Sequence, residues 1–133
     1  MDNLNQEVDA ECLFCSIQDS ERVIDENEHA YAIYDGFPVT KLHALIIPKR
    51  HVEGYFSLTE TEILSCHKLL AKIRDQVLNE DAEVSGFNTG TNSGQDAGQT
   101  IFHCHIHLIP RRANDCDNPT GGVRGVIKGK QQY

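Results

Sequence analysis

The sequence predicts an α+β domain: an antiparallel sheet, one long helix and a short N-terminal helical turn. Three observations carry this expectation. Thr59 with Glu62 forms a capping box that opens an amphipathic stretch. Within it Ile63, Cys66, Leu70, Ile73 and Val77 recur at spacings of three and four, which is one helical face. Runs rich in β-type residues lie on both sides of that stretch, and strands flanking a single long helix suit this class.

At 133 residues the chain suits one domain with one core. The opening "MDNLNQEVDAE" is acidic and polar, so residues 1–11 read as a frayed tail and not as a signal or transit peptide. "CLFCSI" reads as a short apolar turn or one helical turn, and "HAYAIYD" (His29–Asp35) as a strand ending at a Gly-Phe-Pro turn. "HALIIPKRH" reads as a second strand that stops at Pro48, and the helix then runs from Thr59 to near Asn79. "GFNTGT" is a strand, "NSGQDAGQ" a Gly-rich loop and "TIFHCHIHLIP" the last strand. The main domain spans residues 12–112. The extension 113–133 has too little apolar content to be core and is expected to wrap the domain or a partner subunit. There is no internal repeat and no linker.

Lys and Arg number 12 against 20 Asp and Glu, a net charge of −8. That balance argues against nucleic acid as a partner, which requires a basic footprint. It leaves room for a small phosphorylated ligand held by a few local donors. No apolar run is long enough for a membrane span. The five cysteines are an odd number in a chain with no export signal, so disulfides are not expected and a reducing cytoplasm is. Cys66 and Cys104 read as small core hydrophobes, and Cys116 in a polar loop has no assigned role.

The chemistry concentrates in "HCHIHLIP", His103 to Pro110. If this is a strand, His103, His105 and His107 share one face while Phe102, Cys104, Ile106 and Leu108 pack on the core. Steps of roughly 6.6 Å put His103 and His107 about 13 Å apart at the backbone. Zinc–nitrogen bonds are about 2 Å, so one ion does not collect all three rings. The rings therefore have different jobs, or none. Imidazole titrates near neutrality and can attack phosphorus, donate a proton or bind a metal. The loop "TNSGQDAGQT" feeds straight into this strand. Gly94 and Gly98 let backbone amides converge on phosphate oxygens, with Asn92, Gln99 and Thr100 as neutral donors.

Cys12 and Cys15 form a C-x-x-C pair with the spacing of half a zinc site, which needs two more ligands.

"AGQTIFHCHIHLIPRR" resembles the signature of the histidine triad (HIT) family, His-φ-His-φ-His-φ-φ preceded by Gly-Gln-Ser/Thr. The similarity extends through "YDGFPVTKLHALIIPKRH" and covers roughly residues 12–112. The loop, "LIPRR" and the tail "NPTGGVRGVI…GKQ" are similar to the bacterial diadenosine tetraphosphate hydrolase type, and the Trp-Pro-Gly ending of the phosphoramidase branch is absent. The resemblance implies the HIT fold, a homodimer and a nucleotidyl-histidine mechanism. His105 would attack the α-phosphate of a dinucleoside polyphosphate, with His107 beside the phosphate and His43 close by. Asp35 would bind ribose hydroxyls. Asn92, Gly98, Gln99 and Thr100 would line the phosphate, with Gln99 near the leaving oxygen. Some zinc-bearing relatives hold the metal with two cysteines and two histidines, which here implies Zn2+ on Cys12, Cys15, His51 and His103. The alternatives are a nucleoside phosphoramidase, a nucleotide-binding or interaction protein, and a redox or zinc-sensing module.

Overall fold

The structure is a computed structural model and describes residues 8–133. Residues 1–7 of the expected tail lie outside the described residues. Helix α1 is one turn, Leu13–Ser16. Strands β1 (Val23–Glu26), β2 (Ala30–Tyr34) and β3 (Ala44–Pro48) precede helix α2 (Glu60–Glu80), and strands β4 (Val84–Gly90) and β5 (Ile106–Arg112) follow it. The strands form one sheet in the order β1-β2-β3-β5-β4, every pairing antiparallel. No helix among the described residues is long and apolar enough to cross a membrane.

The strand period of two sorts side chains onto two faces. Ala30, Ala32, Ala44, Ile46, Ile106 and Leu108 face α2 and meet Cys66, Leu69, Ile73 and Val77. Three small alanines on that face let the helix sit close. Tyr31, Ile33, Leu45 and Ile47 take the opposite face, where they meet Phe14 of α1. Pairing of Leu45 with His107 sets His107 on this α1 face. The functional side of the sheet is thus fixed by the alternation of Ile106 and Leu108 around one histidine.

The capping box is present, with Thr59 Oγ1 accepting from the Glu62 amide. The buried helical face differs from the periodic reading: it contains Leu69 and not Leu70, and Ile63 is 37% exposed. Two polar residues, Glu62 and Ser65, are buried in that face because each has internal partners. Arg50 grips the Glu62 carboxylate with Nε at 2.7 Å and Nη2 at 2.9 Å, and Asn27 Oδ1 accepts from Ser65 Oγ at 2.7 Å. The Arg50 guanidinium also holds the Glu62 carboxyl below its ordinary range.

Strand β1 was not expected from the sequence, because Asp25 and Glu26 fill half of a four-residue edge strand. The last strand starts at Ile106 and not at Thr100. Phe102 is 43% exposed, so it does not join the core face expected of it. Before Ile106 the chain leaves the sheet: the Cys104 amide bonds to the Val52 carbonyl at 2.7 Å, and Cys104 packs with Val52 and Leu58. Residues 113–133 return over the molecule, with a 3-10 turn at Gly122–Val126 against β4. Gly121 sits at φ 71, where a Cβ would lie 2.0 Å from the Gln131 carbonyl oxygen, so the turn requires glycine.

Candidate functional site

The break in the last strand divides the labour of the histidines. His103 is fully buried, and its Nε2–H donates to the Pro48 carbonyl at 2.7 Å. That bond leaves a lone pair on Nδ1. Nδ1 lies 3.4 Å from Cys12 Sγ and 3.5 Å from Cys15 Sγ, while His51 Nδ1 is 3.3 Å from Cys15 Sγ. All four donor atoms lie within 4.8 Å of one another. A tetrahedral zinc with bonds of about 2.0–2.3 Å needs its ligand atoms some 3.3–3.8 Å apart, so these residues fit the ion. The Pro48 carbonyl supplies the outer hydrogen bond that orients a ligating imidazole. Burial pushes the His103 pKa down to about 4, which keeps the ring neutral, and pushes the Cys15 thiol up to about 11. Burial alone therefore leaves Cys15 protonated, and metal uptake is coupled to release of its proton.

His105 has other partners. Its Nδ1–H donates to the His103 carbonyl at 2.8 Å, so Nε2 carries the free lone pair. Thr91 Oγ1 donates to the His105 carbonyl at 2.8 Å and ties it to the end of β4. The edge of the ring meets Phe14, with centroids 5.0 Å apart, and the His107 ring is 5.5 Å away. The same N-terminal turn thus carries Cys12, Cys15 and the aromatic ring against His105, while Phe14 is anchored through its carbonyl by the Tyr31 hydroxyl.

His43 joins this group from the turn before β3, whose Leu42 takes a left-handed φ of 72, a strained state for a branched side chain. The Val39 amide donates to His43 Nδ1 at 3.1 Å. His43 Nε2 is 2.9 Å from His107 Nδ1 and 3.4 Å from Asp35 Oδ2. Asp35 Oδ1 accepts from the Phe37 amide, so this residue both forms the turn and faces the histidines. Burial holds the pKa of His43 and His107 below the ordinary range; neighbouring histidines add to this for His107, and Asp35 opposes it for both.

The glycine loop is braced from within. Gly94 and Gly98 take φ 97 and 93. Gln99 is buried; its Oε1 accepts from the Gly94 amide at 2.8 Å, and its two N–H groups go to the carbonyls of Glu53 at 2.7 Å and Ile101 at 3.1 Å. The sequence placed Gln99 on a leaving oxygen, whereas here its amide hydrogens are committed to the backbone, because a loop with two left-handed glycines needs an interior clamp. Gly98 and Thr100 are exposed, and Asn92 is half-buried.

A cavity of about 520 Å3 opens beside His43, His107 and Asn92, closed on its far side by Val123 and Val126 of the C-terminal extension. Its wall is mainly apolar. Among the described residues its only Lys or Arg is Arg111, which is held by Asp115 through two bonds of 2.8 and 2.7 Å and by Asn88.

The structure therefore gathers the sequence-selected residues into two adjoining groups: Cys12, Cys15, His51 and His103 in one, and His105, His107, His43 and Asp35 in the other. The Val39 amide, Thr91 and the Phe14 edge complete the second group. Val39 acts through its backbone and leaves no trace in residue type, while Thr91 is visible only as the end of a glycine loop.

A family model for the HIT domain matches residues 17–114. The chain is 41% identical over 103 residues to an uncharacterized 16.1 kDa HIT-like protein of Mycoplasma pneumoniae, covering 75% of this chain and 71% of that one. It is 34% identical over 119 residues to the adenosine 5'-monophosphoramidase HNT1 of Candida albicans, covering 84% of this chain and 75% of that one. Among solved structures, a Zn-bound histidine triad family protein of Mycobacterium smegmatis is similar at a TM-score of 0.72 and 31% identity, covering 79% of this chain and 78% of that one.

Proposed function

The chain belongs to the HIT family of nucleotide hydrolases and transferases, and from that premise we propose that it hydrolyses dinucleoside polyphosphates at the α-phosphate through a nucleotidyl-His105 intermediate. The observation that carries the proposal is the orientation of His105: Nδ1–H is committed to the His103 carbonyl, so Nε2 is the nitrogen left to attack. Nε2 forms a bond to phosphorus as the bond to the leaving oxygen breaks. Water then displaces Nε2 and releases a nucleoside monophosphate. Positioning and hydrogen-bond donation do most of the work in such transfers. Asn92 and Thr100 hold phosphate oxygens; the Gly98 amide does not join them as the sequence reading expects, because it donates to the Gln95 carbonyl at 3.0 Å inside the loop. Asp35 binds the ribose, and Gln99 keeps the loop in shape. Zinc on Cys12, Cys15, His51 and His103 is structural: it ties the N-terminal turn to the segment that presents His105.

We propose water as the acceptor in place of inorganic phosphate. The intermediate is already negative, so a phosphate acceptor needs extra cations at the mouth of the site. The loop "TNSGQDAGQT" supplies none and adds Asp96, and Arg111 is neutralised by Asp115. Diadenosine tetraphosphate is expected to yield AMP and ATP without added phosphate. Turnover that requires phosphate and yields ADP would overturn this assignment.

A second reading, cleavage of a nucleoside phosphoramidate, is favoured by the apolar wall of the cavity and by that same lack of an unpaired cation. In a competition between diadenosine tetraphosphate and an alkyl phosphoramidate of AMP, the larger kcat/KM decides between the two.

We also propose a homodimer. Strand β4 ends the sheet, and Tyr55, Ile63 and Leu70 line a depression beside it. An unpaired strand edge next to apolar side chains suits a second copy. Sedimentation equilibrium is expected to give twice the chain mass; a monomer at tens of micromolar would contradict it.

A further inference from the structure

The contacts of His43 assign more than proximity. The Val39 amide is a donor and cannot face another N–H, so His43 Nδ1 bears a lone pair. The ring proton of neutral His43 is then on Nε2. Asp35 Oδ2, at 3.4 Å from that nitrogen, selects the same tautomer from the other side. His43 Nε2–H in turn points at His107 Nδ1, 2.9 Å away, which must therefore accept. In neutral His107 the remaining proton is on Nε2, the nitrogen not used by His43, on a residue that lines the cavity.

An extra proton finds no place in this pair. On His43 it would sit on Nδ1, opposed to the Val39 N–H. On His107 it would sit on Nδ1, opposed to the His43 N–H. The titratable groups facing His107 are His43, His105 and Asp35, and Asp35 reaches the pair through a nitrogen that already carries its proton.

We propose that the Val39 amide and Asp35 are positioning groups which, through His43, fix His107 as a neutral Nε2–H hydrogen-bond donor to the phosphate, and not as an imidazolium that hands over a proton. The proposal deepens the nucleotidyl-transfer reading and rests on it. A neutral imidazole donor gives less charge than a cation but requires no protonation step. Its contribution is that of an oxyanion donor, expected to cost on the order of 10²–10³ in kcat when removed.

The test has two arms. Nitrogen-15 spectra of histidine-labelled protein without substrate are expected to show one pyrrole-like Nε2 and one pyridine-like Nδ1 for both His43 and His107 from pH 6.5 to 9. A doubly protonated His107 at pH 7, or a proton on its Nδ1, would overturn the proposal. In the kinetic arm, His107→Gln keeps an N–H near the Nε2 position but cannot act as an acid. It is expected to retain kcat within about tenfold of wild type, while His107→Ala loses on the order of 10²–10³. A Gln variant as inactive as the Ala variant would overturn the donor role. Failure of the underlying reading is separately visible. If the tautomers are as stated but no nucleotidyl adduct forms on His105, the donor role falls with the nucleophile.

Discussion

His105→Ala will abolish turnover and leave the fold intact. The side chain is half-exposed on a segment held by other residues, since Thr91 bonds to its backbone carbonyl and His103 is buried beside it. Truncation removes the ring and one hydrogen bond to the His103 carbonyl, a surface-scale loss of about 1 kcal/mol. The catalytic loss is of another order. No second ring replaces the nucleophile: His103 Nε2 is committed to Pro48 and its Nδ1 to the cysteines, and His107 Nδ1 accepts from His43. Loss of a covalent nucleophile is expected to lower kcat by about 10⁴ or more, with nucleotide affinity little changed. Steady-state kinetics and a binding titration on the variant check both halves. Activity within tenfold of wild type would remove His105 from the role.

Removing the zinc ligands is expected to give the second-largest effect, on stability. Purified protein should contain one zinc per chain by elemental analysis, and Cys12→Ser should lose it. The four donors come from the N-terminal turn, the segment after β3 and the segment before β5, so one ion joins three separate stretches of chain. Without the ion, Cys15 remains a half-buried thiol, and α1 is held by the Phe14 packing and the Tyr31 bond. Loss of a few kcal/mol, at roughly 3–5 °C per kcal/mol for a domain of this size, lowers Tm by about 10 °C. A protein without stoichiometric metal after expression with added zinc would sink the proposal. Because Phe14 rides on this turn and touches His105, KM should rise along with the loss of stability.

Legibility in the sequence followed the physics of each signal. The capping box and both buried strands were plain because they rest on local hydrogen bonding and on unbroken apolar runs. Leu69 and Leu70 are adjacent, and a three-four spacing accepts either; the choice was made by Glu62 and Ser65, whose burial depends on Arg50 and Asn27 far away in sequence. Edge strand β1 escaped because half its residues are acidic. Strand alternation located His107 correctly on the α1 face, yet it does not govern His103 and His105, which precede the strand. The approach of His103 to the cysteines follows from the bend at residues 101–103, before the strand, where the Cys104 amide bonds to the Val52 carbonyl. The tautomer chain through Val39 is carried by a backbone amide, and no residue type announces it.

The central claim is that His105 carries the nucleotide covalently during turnover. Rapid acid-free quenching of the enzyme with diadenosine tetraphosphate, followed by proteolysis and mass analysis, reads it directly. One adenylyl group per chain is expected, localised to His105, formed and consumed at rates no slower than kcat. Turnover that proceeds with no adenylylated histidine at any time, or with the adduct on His107 or His43, would contradict it.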